Sequence, residues 1–228
     1  MTNTTEIVVA WSGGKDSTLT LQSLQMSSVF EPVALLTTVT SDYDRISMHG
    51  VRTSLLKTQV KSLGLQLIEA LIPANSDNES YERAMAIALD KIRVSFPRVT
   101  HLAFGDLFLE DVRAYREKQL NGTGFTPVFP LWGLDTRELA ERFIAAGFEA
   151  VAVCVDTQQI DGTFAGRSFD RQFVRDLIAP ADPCGENGEF HTFVTAGPIF
   201  REPITYSIGE RVLRDARFLY CDLLPTTL

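Results

Sequence analysis

Apolar runs alternate with longer amphipathic stretches along most of the first two thirds of the chain. The runs have little polar interleaving, which predicts strands covered on both faces of a parallel sheet. These predicted strands are residues 7–11, 33–40, 66–72, 101–105 and 150–155. Between and after them, apolar residues three and four positions apart predict helices over residues 15–26, 51–63, 77–95, 110–120 and 135–146. The alternation predicts an α/β fold with helices on both faces of a mostly parallel sheet.

The pattern changes after about Asp182. Short alternating runs at residues 190–194 and 199–208, with Gly and Pro around them, predict antiparallel strands. The sequence Asn-Gly-Thr-Gly at residues 121–124 is the predicted hinge. We therefore predict a main domain over residues 1–120 and a smaller C-terminal α+β lobe over residues 121–228.

Composition narrows the classes of protein. The 228 residues are 45% hydrophobic, enough for one sizeable core and a small second lobe. Cys154, Cys184 and Cys221 are widely spaced without a Cys-x-x-Cys pair, so we expect neither a disulfide framework nor a zinc site. The net charge of −8 argues against nucleic acid as the main partner, because that affinity comes from clustered Lys and Arg.

No signal for export or membrane insertion is visible in the sequence. The polar start Met-Thr-Asn-Thr-Thr-Glu lacks the basic and apolar regions of a signal peptide. No later stretch holds the roughly 18 apolar residues that a membrane span needs. We therefore expect a cytoplasmic protein without a membrane partner.

The first predicted strand runs directly into residues 12–17, of sequence Ser-Gly-Gly-Lys-Asp-Ser, and a predicted helix follows. Adjacent glycines at a helix N-terminus expose backbone amides to an anion, and the helix dipole favours negative charge there. Ser12 and Ser17 add hydroxyl donors and Lys15 adds a cation. The motif Gly-x-x-x-x-Gly-Lys-Ser/Thr is absent, so a nucleotide-binding class other than the P-loop proteins is indicated.

This hexapeptide after an apolar strand resembles the PP-loop of the ATP pyrophosphatases, which have a Rossmann-like (HUP-type) fold and split ATP between the α and β phosphates. The resemblance implies that the loop holds the departing pyrophosphate and that ATP and Mg²⁺ are the cofactors. Asp16 either orients Mg²⁺ or water, or caps the helix. The predicted ATP and pyrophosphate ligands are Ser12, Gly13, Gly14, Lys15, Asp16, Ser17, Thr37, Thr38 and Gly105.

Further segments resemble the diphthine–ammonia ligase family over nearly the full length. They are residues 126–127, 131–133, 147–148, 166–167 and, above all, 185–192, of sequence Gly-Glu-Asn-Gly-Glu-Phe-His-Thr. The family adenylates the carboxylate of diphthine, a modified histidine on elongation factor 2, and ammonia then displaces AMP to leave an amide. The resemblance implies a PP-loop domain, a smaller substrate lobe and an acceptor site between them.

The segment at residues 185–192 is the predicted acceptor site. Glu186 and Glu189 could pair with a cationic substrate group, and Glu189 could instead be the general base for ammonia. The alternative is a tight turn with solvated acids. The family pattern is closer to Gly-Glu-Gly-Gly-Glu-Phe-Glu-Thr, so Asn187 and His191 replace a Gly and a Glu on the substrate side. The predicted substrate-binding residues are Arg113, Arg116, Glu186, Asn187, Gly188, Glu189 and His191.

Four candidate residues lie at the C-terminal ends of two predicted strands, at the edge where open α/β sheets bind ligands. Thr37 and Thr38 are either neighbours of adenine or ribose, or simply a strand end. Gly105 allows close approach of the nucleotide. Asp16 and Asp106 are the predicted Mg²⁺ ligands.

Other polar residues have two interpretations each. Arg113 and Arg116 either point at an adenylate or belong to an ion-pair face with nearby acids. The polar loop at residues 42–49 is long enough to close over ATP, and His49 either touches a phosphate or starts the next helix. Cys184, beside the glycine turn, is a weak candidate nucleophile.

The predicted function is an ATP-dependent, amide-forming ligase in which Asp16, Lys15 and Glu189 are catalytic. Its partners are a protein-borne or small carboxylate and ammonia, and a homodimer is left open. If the chain is bacterial, its carboxylate is not expected to be diphthine. One alternative is a regulatory module that binds ATP or AMP without turnover. Another is a tRNA-modifying pyrophosphatase, whose usual paired cysteines or basic extensions are not visible here.

Overall fold

The computed structural model describes residues 4–74 and 76–226, so the outer ends of the predicted domains at 1–3 and 227–228 lie outside it. The strands are β1 (Thr5–Ala10), β2 (Phe30–Thr40), β3 (Arg45–Ile46), β4 (Gln66–Ile72), β5 (His101–Ala103), β6 (Thr126–Val128), β7 (Glu149–Asp156), β8 (Phe190–Ala196), β9 (Tyr206–Arg214) and β10 (Phe218–Pro225). The α-helices are α1 (Lys15–Gln25), α2 (Thr53–Leu63), α3 (Asn78–Ser95), α4 (Glu110–Leu120), α5 (Thr136–Ala145) and α6 (Arg171–Asp176).

The first sheet is mostly parallel, as predicted. Its order is β3-β2-β1-β5-β6, with β4 paired to β2. Every pair in it is parallel except that of β2 with the two-residue strand β3. The carboxyl ends of its central strands therefore meet at one edge.

Helices cover both faces of this sheet because its strands alternate their side chains between two cores. Ile7 and Val9 of β1 pack in one apolar cluster with residues of α1 and α2. Val8 packs on the opposite side with residues of α3 and α4, including Ile92 and Leu120. The predicted α/β class is confirmed.

The second sheet is antiparallel, with the order β8-β7-β10-β9. Val151 and Val153 of β7 share the apolar cluster that contains α1 and α2. Ala150 and Val155 face the other way and share a cluster with Phe143 of α5 and other aromatic residues. Helices α1 and α2 are therefore enclosed between the two sheets.

Two strand predictions were wrong in detail. The run at residues 150–155 forms β7, but in the antiparallel sheet; its polar-free sequence reflects the two cores that cover it, not parallel pairing. The run at residues 199–208 is not one strand, since β9 begins only at Tyr206. Pro203, which has no amide hydrogen and a fixed φ, lies inside that run and interrupts strand pairing.

The chain leaves the first sheet later than predicted. The predicted hinge at residues 121–124 joins α4 to β6, and β6 pairs with β5 in the first sheet. The second sheet begins at β7. A division into two domains at residue 120 stays a prediction. Within the described ranges, no helix is both long and apolar enough to cross a membrane.

Candidate active site

A cavity of about 330 Å³ lies between the carboxyl edge of the first sheet and the turn at residues 185–192 of the second. The structure brings most of the predicted site residues together there, although they are spread over the whole chain. The predicted residues that line the cavity are Ser12, Lys15, Asp16, Ser17, Thr38, Gly105, Asp106, Arg116, Glu186, Gly188 and His191.

The 12–17 loop joins β1 to α1 and requires both of its glycines. Gly13 has a φ of +79°, and a Cβ there would lie 3.0 Å from Gln59 Oε1. Gly14 is the N-cap of α1, without a side-chain capping bond, and a Cβ on it would lie 2.9 Å from the Thr192 carbonyl oxygen. The loop can therefore present backbone amides at the start of α1 to an anion.

Lys15 connects the 12–17 loop to the second sheet. Its side chain is 3% exposed, and its ammonium donates to Asp16 Oδ2 at 2.8 Å and to the Cys184 carbonyl oxygen. Its backbone amide donates to Thr192 Oγ1 at 3.1 Å. Burial opposes the charge on the Lys15 ammonium, but the adjacent Asp16 carboxylate favours it, and the net result is a raised Lys15 pKa.

Three carboxyl groups, those of Asp16, Asp106 and Glu186, share the cavity. Burial is the main reason why the pKa of each is raised, and for Glu186 it is raised to about 7. The Glu186 carboxylate accepts the Leu107 amide at 2.7 Å, which opposes the rise, while the charge of Asp16 adds to it. The cavity can therefore hold a proton or a cation near neutral pH.

Two carboxylate oxygens in this cavity are buried without a hydrogen-bond partner in the described part of the chain. They are Asp16 Oδ1 and Asp106 Oδ2; Asp106 Oδ2 lies 3.7 Å from Arg116 Nε. Among residues 4–74 and 76–226, no three His, Cys, Asp or Glu side chains form a group that could hold a metal ion. A metal ion here would need further ligands from a bound molecule or water.

His49 and His191 meet at the wall of this cavity. Their ring centroids are 4.6 Å apart with an interplanar angle of 30°. His49 does not start the next helix, because α2 begins at Thr53. His191, predicted to bind the substrate, lines the cavity together with residues of the 12–17 loop and with Glu186, and its predicted role stays a prediction.

Of four predicted site residues in the 185–192 turn, two line the cavity and two do not. Glu186 and Gly188 line the cavity, whereas Glu189 and Asn187 do not. Glu189 is 2% exposed, and its Oε1 accepts the Asp182 amide at 2.7 Å and Asn187 Nδ2 at 3.1 Å. The structure thus gives Glu189 a bonding role within the turn, and its predicted catalytic role stays untested.

Arg113 and Thr37 also lie away from the cavity. Arg113 donates to Glu117 at 2.8 Å and lies over the rings of Phe129 and Trp132, at 4.9 and 4.7 Å from their centroids. Of its two interpretations, the ion-pair face matches this geometry, while Arg116 lines the cavity. Thr37 is buried and donates to the Trp11 carbonyl oxygen at 2.7 Å, so it supports the strand end.

The Cys184 thiol is not exposed to the cavity. It donates to the Thr136 carbonyl oxygen at 3.1 Å, and burial raises the Cys184 pKa well above its ordinary value. A thiol that stays protonated is a poor nucleophile. The Cys184 carbonyl, rather than its sulfur, takes part in the site through Lys15.

Gln59 of α2 was missed by sequence reasoning, although a buried polar residue in an apolar helix stripe is a usable signal. Its Oε1 accepts Trp11 Nε1–H at 2.8 Å. Its Nε2 donates to the carbonyl oxygens of Gly13 at 3.1 Å and Val194 at 2.7 Å. One side chain thereby links the end of β1, the 12–17 loop and β8.

This geometry defines an α/β protein with a glycine-rich strand-to-helix loop at a cavity between two sheets. Two family models match the chain: Diphthamide synthase N-terminal domain over residues 5–126, and Diphthamide synthase C-terminal domain over residues 135–221. The chain therefore belongs to the diphthamide synthase family, also called the diphthine–ammonia ligase family. The members of this family are enzymes. The resemblance found in the motifs is confirmed. A search of curated proteins found no match.

Proposed function

We propose that this protein is an ATP-dependent ligase that adenylates a carboxylate, releases pyrophosphate and forms an amide with ammonia. The observation that supports this most is the convergence of two motifs on one cavity. The 12–17 loop forms one wall, and Glu186 and Gly188 from the opposite end of the sequence form another. A cavity between these walls can hold a nucleotide and an acceptor side by side.

In this proposal the 12–17 loop binds the β and γ phosphates. The amides at the start of α1 and the hydroxyls of Ser12 and Ser17 donate to phosphate oxygens, and Lys15 supplies positive charge. Leu36, Met85 and Phe104, which line the same cavity, offer apolar contacts for the adenine ring.

The residues present fit Mg²⁺ as the companion of ATP. Mg²⁺ is usually held by one or two carboxylates together with substrate phosphates and water. Asp16 and Asp106 would hold it, since each has a buried carboxylate oxygen without a hydrogen-bond partner in the described ranges. When bound, the ion would stabilise the negative charge that develops on the departing pyrophosphate.

On the acceptor side, Glu186 is better placed than Glu189 to meet ammonia or a cationic substrate group. Glu186 lines the cavity and has a pKa of about 7, mainly because of burial, so it can accept a proton from ammonium near neutral pH. Neutral ammonia then attacks the acyl carbon, the bond from that carbon to the AMP phosphate oxygen breaks, and the amide forms as the attacking nitrogen loses one proton to solvent. The acceptor carboxylate is either protein-borne or small.

The decisive experiment is product analysis with ATP labelled at the α and γ phosphates, in the presence of Mg²⁺, ammonium and a panel of carboxylates that includes diphthine-bearing elongation factor 2. We expect AMP and pyrophosphate whose formation depends on one carboxylate. Gly14→Ala and Asp16→Asn should reduce product formation at least a hundredfold. Asp90→Asn, on the exposed face of α3, is the matched control and should behave as wild type.

The alternatives give different products. Tight ATP binding without AMP over hours would support the regulatory module and overturn the ligase. ADP and phosphate would also overturn it. AMP formation that depends on tRNA rather than on a carboxylate would support the tRNA-modifying alternative, which the net charge of −8 does not favour.

A further inference from the structure

The cavity has little free positive charge for an anion as large as a triphosphate. The two permanent cations among the described residues that line it are in ion pairs: Lys15 with Asp16 at 2.8 Å, and Arg116 more loosely with Asp106 at 3.7 Å, with no hydrogen bond at its Nε. Glu186 adds a further carboxyl group. A polyphosphate that enters this cavity therefore needs further hydrogen-bond donors or cations. One bound Mg²⁺ would supply only part of this compensating charge.

His49 and His191, to which the proposed reaction gives no role, lie where they can supply such donors or cations. Both line the cavity with the 12–17 loop. A Cβ on Gly14, the N-cap of α1, would lie 3.0 Å from His49 Cε1, so the edge of this ring faces the loop. The two adjacent, tilted rings thus lie where the phosphate tail of a nucleotide is expected.

The hydrogen bonding of His49 determines which of its ring nitrogens is available. Nδ1 lies 3.0 Å from the Thr192 carbonyl oxygen, and because a carbonyl oxygen only accepts, Nδ1 carries the hydrogen. In the neutral ring, Nε2 then has a lone pair and repels a phosphate oxygen. Only a proton on Nε2 makes His49 a donor to phosphate.

The surroundings keep both rings neutral in the free protein. Burial lowers the pKa of His49 well below its ordinary value, with contributions from His191 and Lys15. Burial, and to a smaller extent Lys15, lowers the pKa of His191 to about 4. The nearby carboxyl groups of Asp16, Asp106 and Glu186 and the Arg116 guanidinium complete the charged groups of the cavity. A bound polyanion would act in the opposite direction and favour protonation.

We propose that His49 and His191 form a polyphosphate-binding pair, in which His49 takes up one proton from solvent as the ligand binds and donates Nε2–H to a phosphate oxygen. The adjacent His191 ring packs against His49 and is a second donor for the same anion. This inference rests on the proposed use of ATP. It adds His49 and His191 to the residues proposed to bind ATP, and it makes the ATP affinity depend on pH.

The test is calorimetric titration of the full chain with Mg-ATP at pH 7.5 in buffers of different ionisation enthalpy, which counts the protons exchanged on binding. His49→Asn should take up about one proton fewer than wild type and bind ATP roughly tenfold more weakly, as expected for a lost charge-assisted hydrogen bond. His191→Gln should also weaken ATP binding several-fold. AMP, which lacks the β and γ phosphates, should bind the variants and wild type within about twofold.

His49→Asn keeps a donor for the Thr192 carbonyl oxygen, so unchanged thermal unfolding will show that the variant folds. His101→Asn is the matched control, because the third histidine lies on β5 against Phe30 and outside the cavity. Wild-type affinity and proton uptake in both cavity variants would overturn the pair and leave the ligase proposal intact. If the variants lost as much affinity for AMP as for ATP, the assignment of the histidine pair to the β and γ phosphates would be overturned. No ATP binding by wild type would overturn both proposals.

Discussion

Gln59 is a fully buried polar side chain whose hydrogen bonds hold the 12–17 loop in position. Replacing it with the similarly shaped Met would leave Trp11 Nε1 and the Val194 carbonyl oxygen without their partner, whereas the Gly13 carbonyl oxygen would keep the Val194 amide. Each buried unpaired group costs about 1–3 kcal/mol, so we expect Gln59→Met to lower the free energy of unfolding by roughly 3 kcal/mol and to weaken ATP binding. Denaturant unfolding and ATP titration measure the two effects.

Gln25→Met, at an exposed position in the last turn of α1, is the control and should change neither quantity noticeably. If Gln59→Met lowered stability but bound ATP as wild type does, Gln59 would support the core without positioning the loop.

Glu186 is expected to destabilise the free protein at alkaline pH. Its pKa in the folded protein, about 7, lies above the ordinary value of 4.5 because of burial. The folded state therefore binds the proton more tightly than the unfolded state. The resulting stability is complete below about pH 4.5 and is lost as pH rises through 7. The variant Glu186→Gln has no carboxyl proton to lose. Relative to wild type, its free energy of unfolding should therefore rise by about 2 kcal/mol between pH 4.5 and pH 8, after allowance for partial exposure.

Denaturant unfolding of Glu186→Gln and wild type at several pH values checks this, with the exposed Glu141→Gln as control. A difference between Glu186→Gln and wild type that does not grow with pH would contradict it.

Local motifs predicted the site residues that are contiguous in sequence. The site residues that the sequence did not predict depend on contacts between distant parts of the chain. Residues 12–17 form one strand-to-helix loop, so their sequence is sufficient to indicate an anion site. The partners of Gln59 are 46, 48 and 135 positions away, and no local pattern identifies them. The same reason explains Glu189, whose turn-internal bonds depend on how residues 182–189 fold back.

At the scale of elements, the N-terminal end of α2 is attached to the second sheet through Asp222 of β10. Its carboxylate accepts Arg45 Nη1 at 2.8 Å and Arg52 Nη2 at 2.6 Å. These arginines flank the short segment that carries His49. Asp222→Ala should therefore lower the free energy of unfolding by about 1 kcal/mol, the scale of partly exposed ion pairs, and weaken ATP binding by loosening that segment.

Arg83→Ala is the control for the element prediction, since it removes an exposed ion pair within α3, with Glu79, that does not join two elements. Its unfolding free energy should change by less than about 0.5 kcal/mol. Unchanged ATP affinity in Asp222→Ala would show that the segment around His49 does not depend on this ion pair.

The positions of most helices and strands could be predicted, but not which sheet each strand joins. Periodicity reports how many faces of an element are buried, and β7 is buried on both faces in an antiparallel sheet just as a parallel strand would be. The β9–β10 hairpin was missed for a different reason. Its turn contains Asp215 and Ala216 with φ of 52° and 50°, where Asn and Gly are the usual turn residues.

For the whole molecule, the enclosed position of α1 and α2 predicts that the two sheets fold as one cooperative unit. Val151, Val153, Phe193 and Leu223 of the second sheet belong to the same apolar cluster as Leu21 and the α2 leucines. A fragment of residues 1–134 would expose that face of both helices to water. The family models divide the chain near this point, but the packing does not.

We therefore expect the full chain to unfold in a single transition when followed by circular dichroism and by tryptophan fluorescence. The 1–134 fragment should bind a hydrophobic dye and show no cooperative unfolding, because the apolar surface it exposes costs about 25 cal/mol per Å². Val153→Ala in the full chain is the milder test: it should lower the free energy of unfolding by roughly 1–3 kcal/mol and keep the two probes coincident. Two separate transitions, or a fragment with a cooperative one, would show that the sheets are stable independently and that the cavity between them is assembled by docking two folded domains.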